Sequence, residues 1–236
     1  MLELFPEGFE ETDHPDGSVE LVAYAPADAE ERFWAAFGPG RSADVEPGWA
    51  DGWKRFHRPV RVGPLWVGPP WVEPDADAIA VVIDPGRAFG TGGHATTRLC
   101  LELLTECKPA SLVDLGCGSG VLAIAAAKLG WEPVYALDVD EVAVGVASEN
   151  ARANDVAIET ACVDLVDGTI PSATVAVANI AREPVELAAR RVDADHLITS
   201  GYLVSERPAA PRWIHLDRRE DGSWAADLFA RAPAAP

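Results

Sequence analysis

A glycine-rich turn between a predicted strand and a predicted helix is the strongest chemical signal in this sequence. Residues 112–120 read LVDLGCGSG, so a short aliphatic strand leads into three alternating glycines. Gly116 and Gly118 remove side chains where the backbone must approach a ligand, and the following helix N-terminus adds a favourable dipole. The spacing is not the G-x-G-x-x-G of dinucleotide binding, because Val121 takes the third glycine's place. We therefore expect a ligand without a pyrophosphate; the alternative is a turn that only packs helix on strand.

Acidic residues follow the next two predicted strands. Asp138 ends the run VYALD, twenty-two residues after Gly116. A carboxylate at the tip of the second strand is placed to accept hydrogen bonds from two ribose hydroxyls, whereas a helix cap is the alternative for Asp138 alone. Asp140 lies two residues after Asp138, on the same side of the extended chain, and is predicted to cap the next helix. Asp164, after the third strand, is a candidate to reach an adenine amino group. With the glycine turn, these residues favour S-adenosyl-L-methionine, which brings a methionine moiety past the turn.

A second glycine-rich segment precedes another predicted helix. Residues 84–97 read DPGRAFGTGGHATT, with four glycines and three threonines. Flexible backbone, amide donors and hydroxyls at a helix N-terminus suit the methionine carboxylate or a lid over the cofactor, and the alternative is an ordinary surface loop. The cofactor-binding candidates in this segment are Phe89, Gly90, Thr91 and Thr97. His94 is a candidate general base, although a histidine in a glycine loop is more often structural.

Asn179 closes the fourth predicted strand, in the sequence Ala-Asn-Ile-Ala. In a doubly wound sheet the carboxyl ends of the strands form the binding crevice, so Asn179 is predicted to face the place of reaction. An amide accepts a hydrogen bond from an amine without carrying charge, which suits a nucleophile that must be neutral. We therefore predict that Asn179 positions the acceptor and also contacts the cofactor.

The elements that position these residues alternate, which indicates an α/β fold with a mostly parallel, doubly wound sheet. The predicted strands are 111–115, 133–138, 157–163, 174–180 and 196–200, and the predicted helices are 96–107, 121–129, 141–153 and 183–191. Segments 213–217 and 224–230 flank Asp221-Gly222 and predict an antiparallel hairpin at the sheet edge. A Rossmann-like sheet that ends in such a hairpin is usual for methyltransferases and unusual for dehydrogenases.

The chain is predicted to divide into three parts. Residues 1–47 read as a small α+β piece, with strands at 8–13 and 18–25 and a helix from Asp28 to Phe37. Residues 48–76 form a connector in which tryptophans alternate with prolines and glycines, unlike a flexible linker. Residues 77–236 form the α/β domain.

Composition narrows the possible partners. Asp and Glu number 38 against 19 Lys and Arg, for a formal charge of −19, which argues against direct nucleic-acid binding. The charge suits a basic protein partner, or it serves solubility alone. The four cysteines have neither C-x-x-C pairing nor metal-ligand spacing, so we expect no metal site and reduced thiols. Without a membrane-length apolar run or a signal peptide, we expect a cytoplasmic protein with no membrane contact.

These segments together resemble the ribosomal protein L11 methyltransferase family. Residues 84–97 match its signature D-P-G-x-A-F-G-T-G-x-H-x-T-T, and residues 114–126 match its strand, turn and helix. Asn179-Ile180 matches its A-N-I-L segment, although Ala181 stands where leucine is usual. The connector tryptophans also look like the family, and the resemblance covers roughly residues 8 to 230.

The resemblance implies a protein methyltransferase that uses S-adenosyl-L-methionine. Thr97, Gly116, Asp138 and Asn179 match the family's cofactor-binding positions. The implied substrate is a basic ribosomal protein, L11, methylated on lysine side chains and on its N-terminal amine. The alternatives are methylation of another protein or a small molecule, and a cofactor-binding scaffold without activity.

Two departures from the family pattern lead to expectations of their own. Family members usually open with a complete ferredoxin-like domain. Here the first strand and most of the first helix expected of that domain are not found in residues 1–47. We therefore expect the 236-residue form to bind the cofactor normally and to methylate L11 poorly. In addition, only residues 201–212 separate two strands where a covering helix is expected, which predicts an under-covered sheet face open to a partner.

Overall fold

The computed structural model describes residues 9–13, 19–23, 38, 58–84 and 92–233. The chain divides into two units, residues 1–53 and residues 54–236. In the first unit, β1 (Phe9–Asp13) and β2 (Val19–Ala23) form an antiparallel pair at the two positions where strands are predicted. The helix predicted from Asp28 to Phe37 lies outside the described residues.

The second unit begins with a three-stranded sheet. It consists of β3 (Val60–Val62), β4 (Leu65–Gly68) and β5 (Ile79–Val82). The pair β3–β4 is antiparallel and β4–β5 is parallel, so β5 lies at one edge. Leu65, Val67 and Val81 are fully buried, because this sheet joins the hydrophobic core of the α/β domain.

A seven-stranded sheet with four described helices makes up the rest of the second unit. In chain order the elements are α1 (Ala95–Glu106), β6 (Leu112–Leu115), α2 (Val121–Lys128), β7 (Val134–Asp138), α3 (Glu141–Ala153), β8 (Glu159–Cys162), β9 (Ala173–Asn179), α4 (Arg182–Arg191), β10 (Ala194–Leu203), β11 (Trp213–Asp221) and β12 (Trp224–Arg231). The strand order is β11-β12-β10-β9-β6-β7-β8. Strands β10, β9, β6, β7 and β8 run parallel, and the β11–β12 hairpin is antiparallel. The predicted Rossmann-like class is confirmed.

The central strands are apolar because both faces of the sheet are covered. All four residues of β6 are buried, and most of β9 is too. Helices α1, α2 and α3 pack on one face, with Leu101, Ile124 and Ala147 in that core, whereas Val185 of α4 packs on the other. The chain runs outward from β6 in both directions, so β6 and β9 flank the switch point at which ligands bind in such sheets.

The sheet face beside the β10–β11 connection is covered in part, without a helix, whereas Leu203, Ile214 and Leu216 on β10 and β11 are exposed. Trp213 is buried there, and its indole Nε1 donates to the Ala189 carbonyl at 2.7 Å. Val204 and Ala210, from the connecting segment, pack against the same core. Nine irregular residues therefore do the covering that we expected of a helix. Within the described part of the chain, no helix is long and apolar enough to cross a membrane.

Candidate functional site

A cavity of about 950 Å³ opens at the carboxyl ends of β6, β7 and β9. It brings together the predicted site residues Thr97, Gly116, Gly118, Asp138, Asp164 and Asn179. These residues come from five separate elements or turns of the chain. The three remaining candidates, Phe89, Gly90 and Thr91, lie outside the described residues.

The glycine turn has left-handed backbone at all three glycines. The φ angles of Gly116, Gly118 and Gly120 are +74°, +52° and +81°, a region that side chains disfavour. A Cβ added to Gly116 would lie 2.3 Å from Cγ2 of Ile180, in the loop after β9. The sequence suggested that Gly116 makes room for a ligand. The structure shows that it also makes room for Ile180.

Asp138 is held rigidly at the mouth of this turn. Its Oδ2 accepts from the Gly118 amide at 2.9 Å, and its Oδ1 accepts from the Asp140 amide at 3.0 Å. Each carboxylate oxygen has capacity for a further hydrogen bond, so the group is pre-oriented to accept from two hydroxyls. Asp140 accepts from the Val142 amide at 2.9 Å and caps α3, as predicted.

Asp164 lines the cavity beyond the end of β8. Its Oδ1 accepts from the Val166 amide at 2.8 Å, which fixes the turn that follows the strand. Val166 and Val139 also line the cavity, and each is about two-thirds exposed. Exposed valines on two sides of an opening offer apolar surface to a flat ring.

Asn179 and Thr97 meet across the cavity floor. The Asn179 Nδ2 donates to Thr97 Oγ1 at 3.4 Å, and Thr97 is almost completely buried. This contact fixes the plane of the amide, with its carbonyl oxygen directed away from the threonine. An amide held in this way presents a neutral acceptor in one direction.

His94 also lines the cavity, but its Nδ1 is engaged in capping α1. Nδ1 accepts from the Thr96 amide at 3.4 Å and lies 2.8 Å from the Thr96 hydroxyl. The imidazole also meets Trp224 edge-on, with 4.8 Å between ring centroids. These contacts favour the structural interpretation of His94 over general-base chemistry.

Asp114 is a candidate site residue that sequence reasoning missed. It is 1% exposed and lines the cavity, and its Oδ2 accepts from the Ala123 amide at 3.2 Å. No described residue forms a hydrogen bond with its Oδ1. Burial raises the pKa of this carboxyl to about 7. The available signal was an aspartate inside an otherwise apolar strand, a costly placement for a charge.

Ile180 and Gly201 fix the loop that carries Asn179. Gly201 has a φ of +97°, and a Cβ there would lie 2.0 Å from the Ile180 carbonyl oxygen. Ile180 is therefore placed between Gly116 on one side and Gly201 on the other. Sequence reasoning named Ile180 only as part of the family segment and did not single out Gly201, because their proximity depends on the pairing of β10 with β9.

The charged groups of the cavity are carboxylates. Asp114, Asp138, Asp164 and Glu183 line it, whereas no lysine or arginine is found among its described lining residues. Such a cavity repels phosphate groups and attracts a ligand that carries positive charge. The chemistry therefore agrees with the glycine spacing in excluding a dinucleotide.

The strand order, with its antiparallel hairpin at one edge, and the glycine turn at the switch point define a Rossmann-like methyltransferase fold. The family model for ribosomal protein L11 methyltransferase (PrmA) matches residues 28–210. This chain belongs to that family, as its motifs predict.

Individual relatives agree with the family model. The chain is 45% identical to a ribosomal protein L11 methyltransferase of Caldanaerobacter subterraneus subsp. tengcongensis, over 59% of this chain and 47% of that protein. It is 34% identical to one of Clostridium perfringens, over 92% of this chain and 75% of that protein. The crystal structure of a ribosomal protein L11 methylase from Lactobacillus delbrueckii subsp. bulgaricus superposes with a TM-score of 0.67 at 27% identity, covering 74% of this chain and 99% of that one. The chain spans about half to two-thirds of the length of the first curated relatives it matches.

Proposed function

We propose that this chain is an S-adenosyl-L-methionine-dependent protein methyltransferase that acts on amine nitrogens of ribosomal protein L11. The observation that carries the proposal is one acidic cavity that joins the glycine turn, Asp138 and the Asn179–Thr97 pair at the switch point. Family membership supplies the class of reaction, and the names of the relatives supply the acceptor.

The residues present fit this cofactor on three counts. The unpartnered Asp114 Oδ1 is a buried acceptor for a cationic donor, such as an amino group. The pre-oriented Asp138 carboxylate suits the two ribose hydroxyls. Val139 and Val166 offer apolar surface for the adenine ring, with Asp164 beside them for its amino group. When bound, the cofactor supplies an activated methyl group on a sulfonium.

The protein's own contribution is alignment and exclusion of water. The acceptor amine must be neutral and in line with the transferred methyl, and holding both in one cavity makes the displacement effectively intramolecular. The Asn179 amide, fixed by Thr97, is placed to accept a hydrogen bond from the neutral amine. An entering ammonium must release its proton to water before the nitrogen accepts the methyl group; desolvation favours this release by lowering the ammonium pKa, whereas the cavity carboxylates oppose it.

The partner that suits this surface is a basic protein. A formal charge of −19 attracts such a substrate and raises its encounter rate without orienting it. We propose that residues 1–47 recruit the substrate and residues 77–236 form the methyltransferase domain, and that the connector, residues 48–76, contributes β3 and β4 to the core of that domain. We further propose that the enzyme acts in the cytoplasm, with lysine side chains and the N-terminal amine of the substrate as methyl acceptors.

Two measurements test the proposal. Calorimetric titration with S-adenosyl-L-methionine should show one site, and NAD should not displace the ligand because the cavity is acidic and the glycine spacing is wrong. Mass spectrometry of purified ribosomal proteins after incubation with the enzyme and cofactor should show additions of ~14 Da on L11, because each methyl group replaces a hydrogen. Binding without methylation of any ribosomal protein would leave a scaffold or another acceptor. Absence of binding would overturn the proposal.

A further inference from the structure

Strand β5 is an edge strand whose outer side is covered by asparagines from α3. The Val82 amide donates to Asn154 Oδ1 at 2.8 Å, and Asn154 Nδ2 donates to the Val82 carbonyl at 2.6 Å. Asn150 repeats the pattern on Asp84, accepting from its amide at 3.1 Å and donating to its carbonyl at 3.3 Å. Two side-chain amides thus pair with the backbone as a neighbouring strand would.

The spacing of the two asparagines matches the strand. Four residues of an α-helix rise about 6 Å, and two residues of a strand advance about 6.6 Å. Position 154 of the helix therefore falls opposite Val82 of the strand, and position 150 falls opposite Asp84 just beyond it. Both asparagines are buried, at 4% and 3% exposure, so their amides contribute only when fully paired.

Only one of the two asparagines reaches the glycine turn. Asn150 Nδ2 also donates to the Ser119 carbonyl at 2.9 Å, whereas the second donor bond of Asn154 returns to the Asn150 carbonyl of its own helix at 2.8 Å. Ser119 is completely buried between Gly118 and Gly120. The Asn150 side chain thus joins the turn to the backbone just beyond β5.

The turn needs such a restraint. Its three glycines have more conformational freedom to lose than other residues, so a fixed geometry depends on contacts from outside the turn. Asp138 holds one side of the turn through the Gly118 amide. Asn150 holds the opposite side through the next residue's carbonyl.

We propose that Asn150 is a positioning residue for the cofactor: it braces the glycine turn against the backbone beyond β5 and so maintains the turn's binding geometry. The inference rests on the proposed function, because it takes S-adenosyl-L-methionine as the ligand of the turn. Asn154 serves the strand alone and makes no contribution to binding.

The pair offers a matched control. Asn150→Ala and Asn154→Ala each remove a buried amide that pairs with β5 or the residue beyond it, and both should lower the midpoint of thermal unfolding. Affinity for S-adenosyl-L-methionine, measured by calorimetry below both midpoints, should fall at least tenfold in Asn150→Ala and less than threefold in Asn154→Ala. In steady-state assays Asn150→Ala should raise the cofactor KM and leave kcat within about twofold. Equal losses of affinity in the two variants, or none, would overturn the proposal.

Hydrogen exchange provides a readout that needs no cofactor. The Gly120 amide donates to the Cys117 carbonyl at 2.8 Å within the turn and reports its opening. It should exchange faster in the free Asn150→Ala protein and at the unchanged rate in Asn154→Ala. Unchanged exchange in both would contradict the bracing role. If the unmodified chain failed to bind cofactor, the proposed function would fall, and this exchange would still decide whether Asn150 holds the turn.

A measurement on the unmodified protein covers the case in which Asn150→Ala does not fold. Added cofactor should slow exchange of the Asp84 amide, which donates to Asn150, at least tenfold. The Val82 amide, which donates to Asn154, should slow less than threefold. Equal slowing at the two amides, or none, would show that Asn150 does not link the turn to β5.

Discussion

Two buried aspartates in the same sheet have opposite surroundings. Asp227 on β12 is fully buried, and its carboxylate is hydrogen-bonded to the Tyr202 hydroxyl, the Arg218 guanidinium and His215 Nε2, at 2.7 to 2.8 Å. Asp114 on β6 is equally buried and has one oxygen without a partner among the described residues. A buried carboxylate that the protein satisfies by itself belongs to the structure. One that it leaves unsatisfied, in the wall of a cavity, is available to a ligand.

The surroundings of Asp227 also explain its neighbours. Burial raises the pKa of the Tyr202 hydroxyl, which donates to Asp227. Arg218, with a side chain 10% exposed, pairs with Asp227 and donates to the Val204 carbonyl at 2.9 Å, so it ties the hairpin to the segment after β10. Removing either partner would cost the other its most buried ion pair, leaving Arg218 with Glu220 and Asp227 with His215.

The largest effect should come from Asp227→Asn, which tests the structural member of the pair. Loss of the charge leaves the nearly buried Arg218 with the half-exposed Glu220 as its remaining carboxylate partner, and we expect a loss of about 3–4 kcal/mol in the free energy of unfolding. Urea unfolding measures this loss. His215→Ala is the control, because the His215 side chain is 48% exposed, and it should cost about 1 kcal/mol or less. A change in Asp227→Asn no larger than that of the control would contradict the comparison.

Asp114→Asn should have the opposite sign. The folded-state pKa of about 7 lies above the ordinary aspartate pKa of 3.8, so the folded state binds more protons and stability falls as pH rises from about 4 to 7. Asparagine removes this loss, and the variant should be more stable than the parent at pH 8 by roughly 2–4 kcal/mol.

Urea unfolding of the cofactor-free protein from pH 4 to 8 checks this prediction. Asp155→Asn, at an exposed carboxylate, is the matched control and should keep the parent's pH dependence. A variant at position 114 with the same pH slope as the parent would mean that Asp114 is not buried as an unpaired acid.

Asp138→Ala should weaken S-adenosyl-L-methionine binding by about 1.5–3 kcal/mol, the scale of hydrogen bonds to a charged group. Calorimetry measures the affinity. Asp140→Ala is the control: it removes the cap of α3 but no cavity-lining group, so affinity should remain within about threefold (below ~0.7 kcal/mol). Unchanged affinity in a folded Asp138→Ala protein would remove the ribose assignment.

The smallest effect is expected at Asn179, where the readout is kinetic. Asn179→Ala should lower turnover about tenfold (~1.4 kcal/mol) and cofactor affinity less than threefold, because the Asn179 amide acts mainly on the acceptor amine. Thr97→Val tests how the amide is oriented, since it removes the hydroxyl that accepts from Asn179 Nδ2. Equal proportional losses of affinity and turnover would make Asn179 a purely cofactor-holding residue.

Sequence reasoning succeeded where local pattern and chemistry agree. The cap of α3 at Asp140 and the turn after β6 follow from residue types that have one favourable backbone environment. The alternation of strands and helices also predicted which strand ends carry side chains to a common edge, and the structure brings six of the candidate residues into one cavity. Sequence reasoning missed the nine-residue cover beside β10, because coverage depends on how a segment packs and helix propensity does not reveal this.

By itself, the sequence determined the α/β class, the doubly wound sheet expected of right-handed crossovers, and the positions of the glycine turn, Asp138 and Asn179. These follow from periodicity and turn chemistry, which act over a few residues. Only the tertiary structure decided that Gly116 makes room for Ile180, that Asn150 reaches Ser119, and that Asp227 is satisfied while Asp114 is not. Each depends on atoms from segments distant in the chain, and a residue type specifies its donors and acceptors but not the partners that packing brings to them.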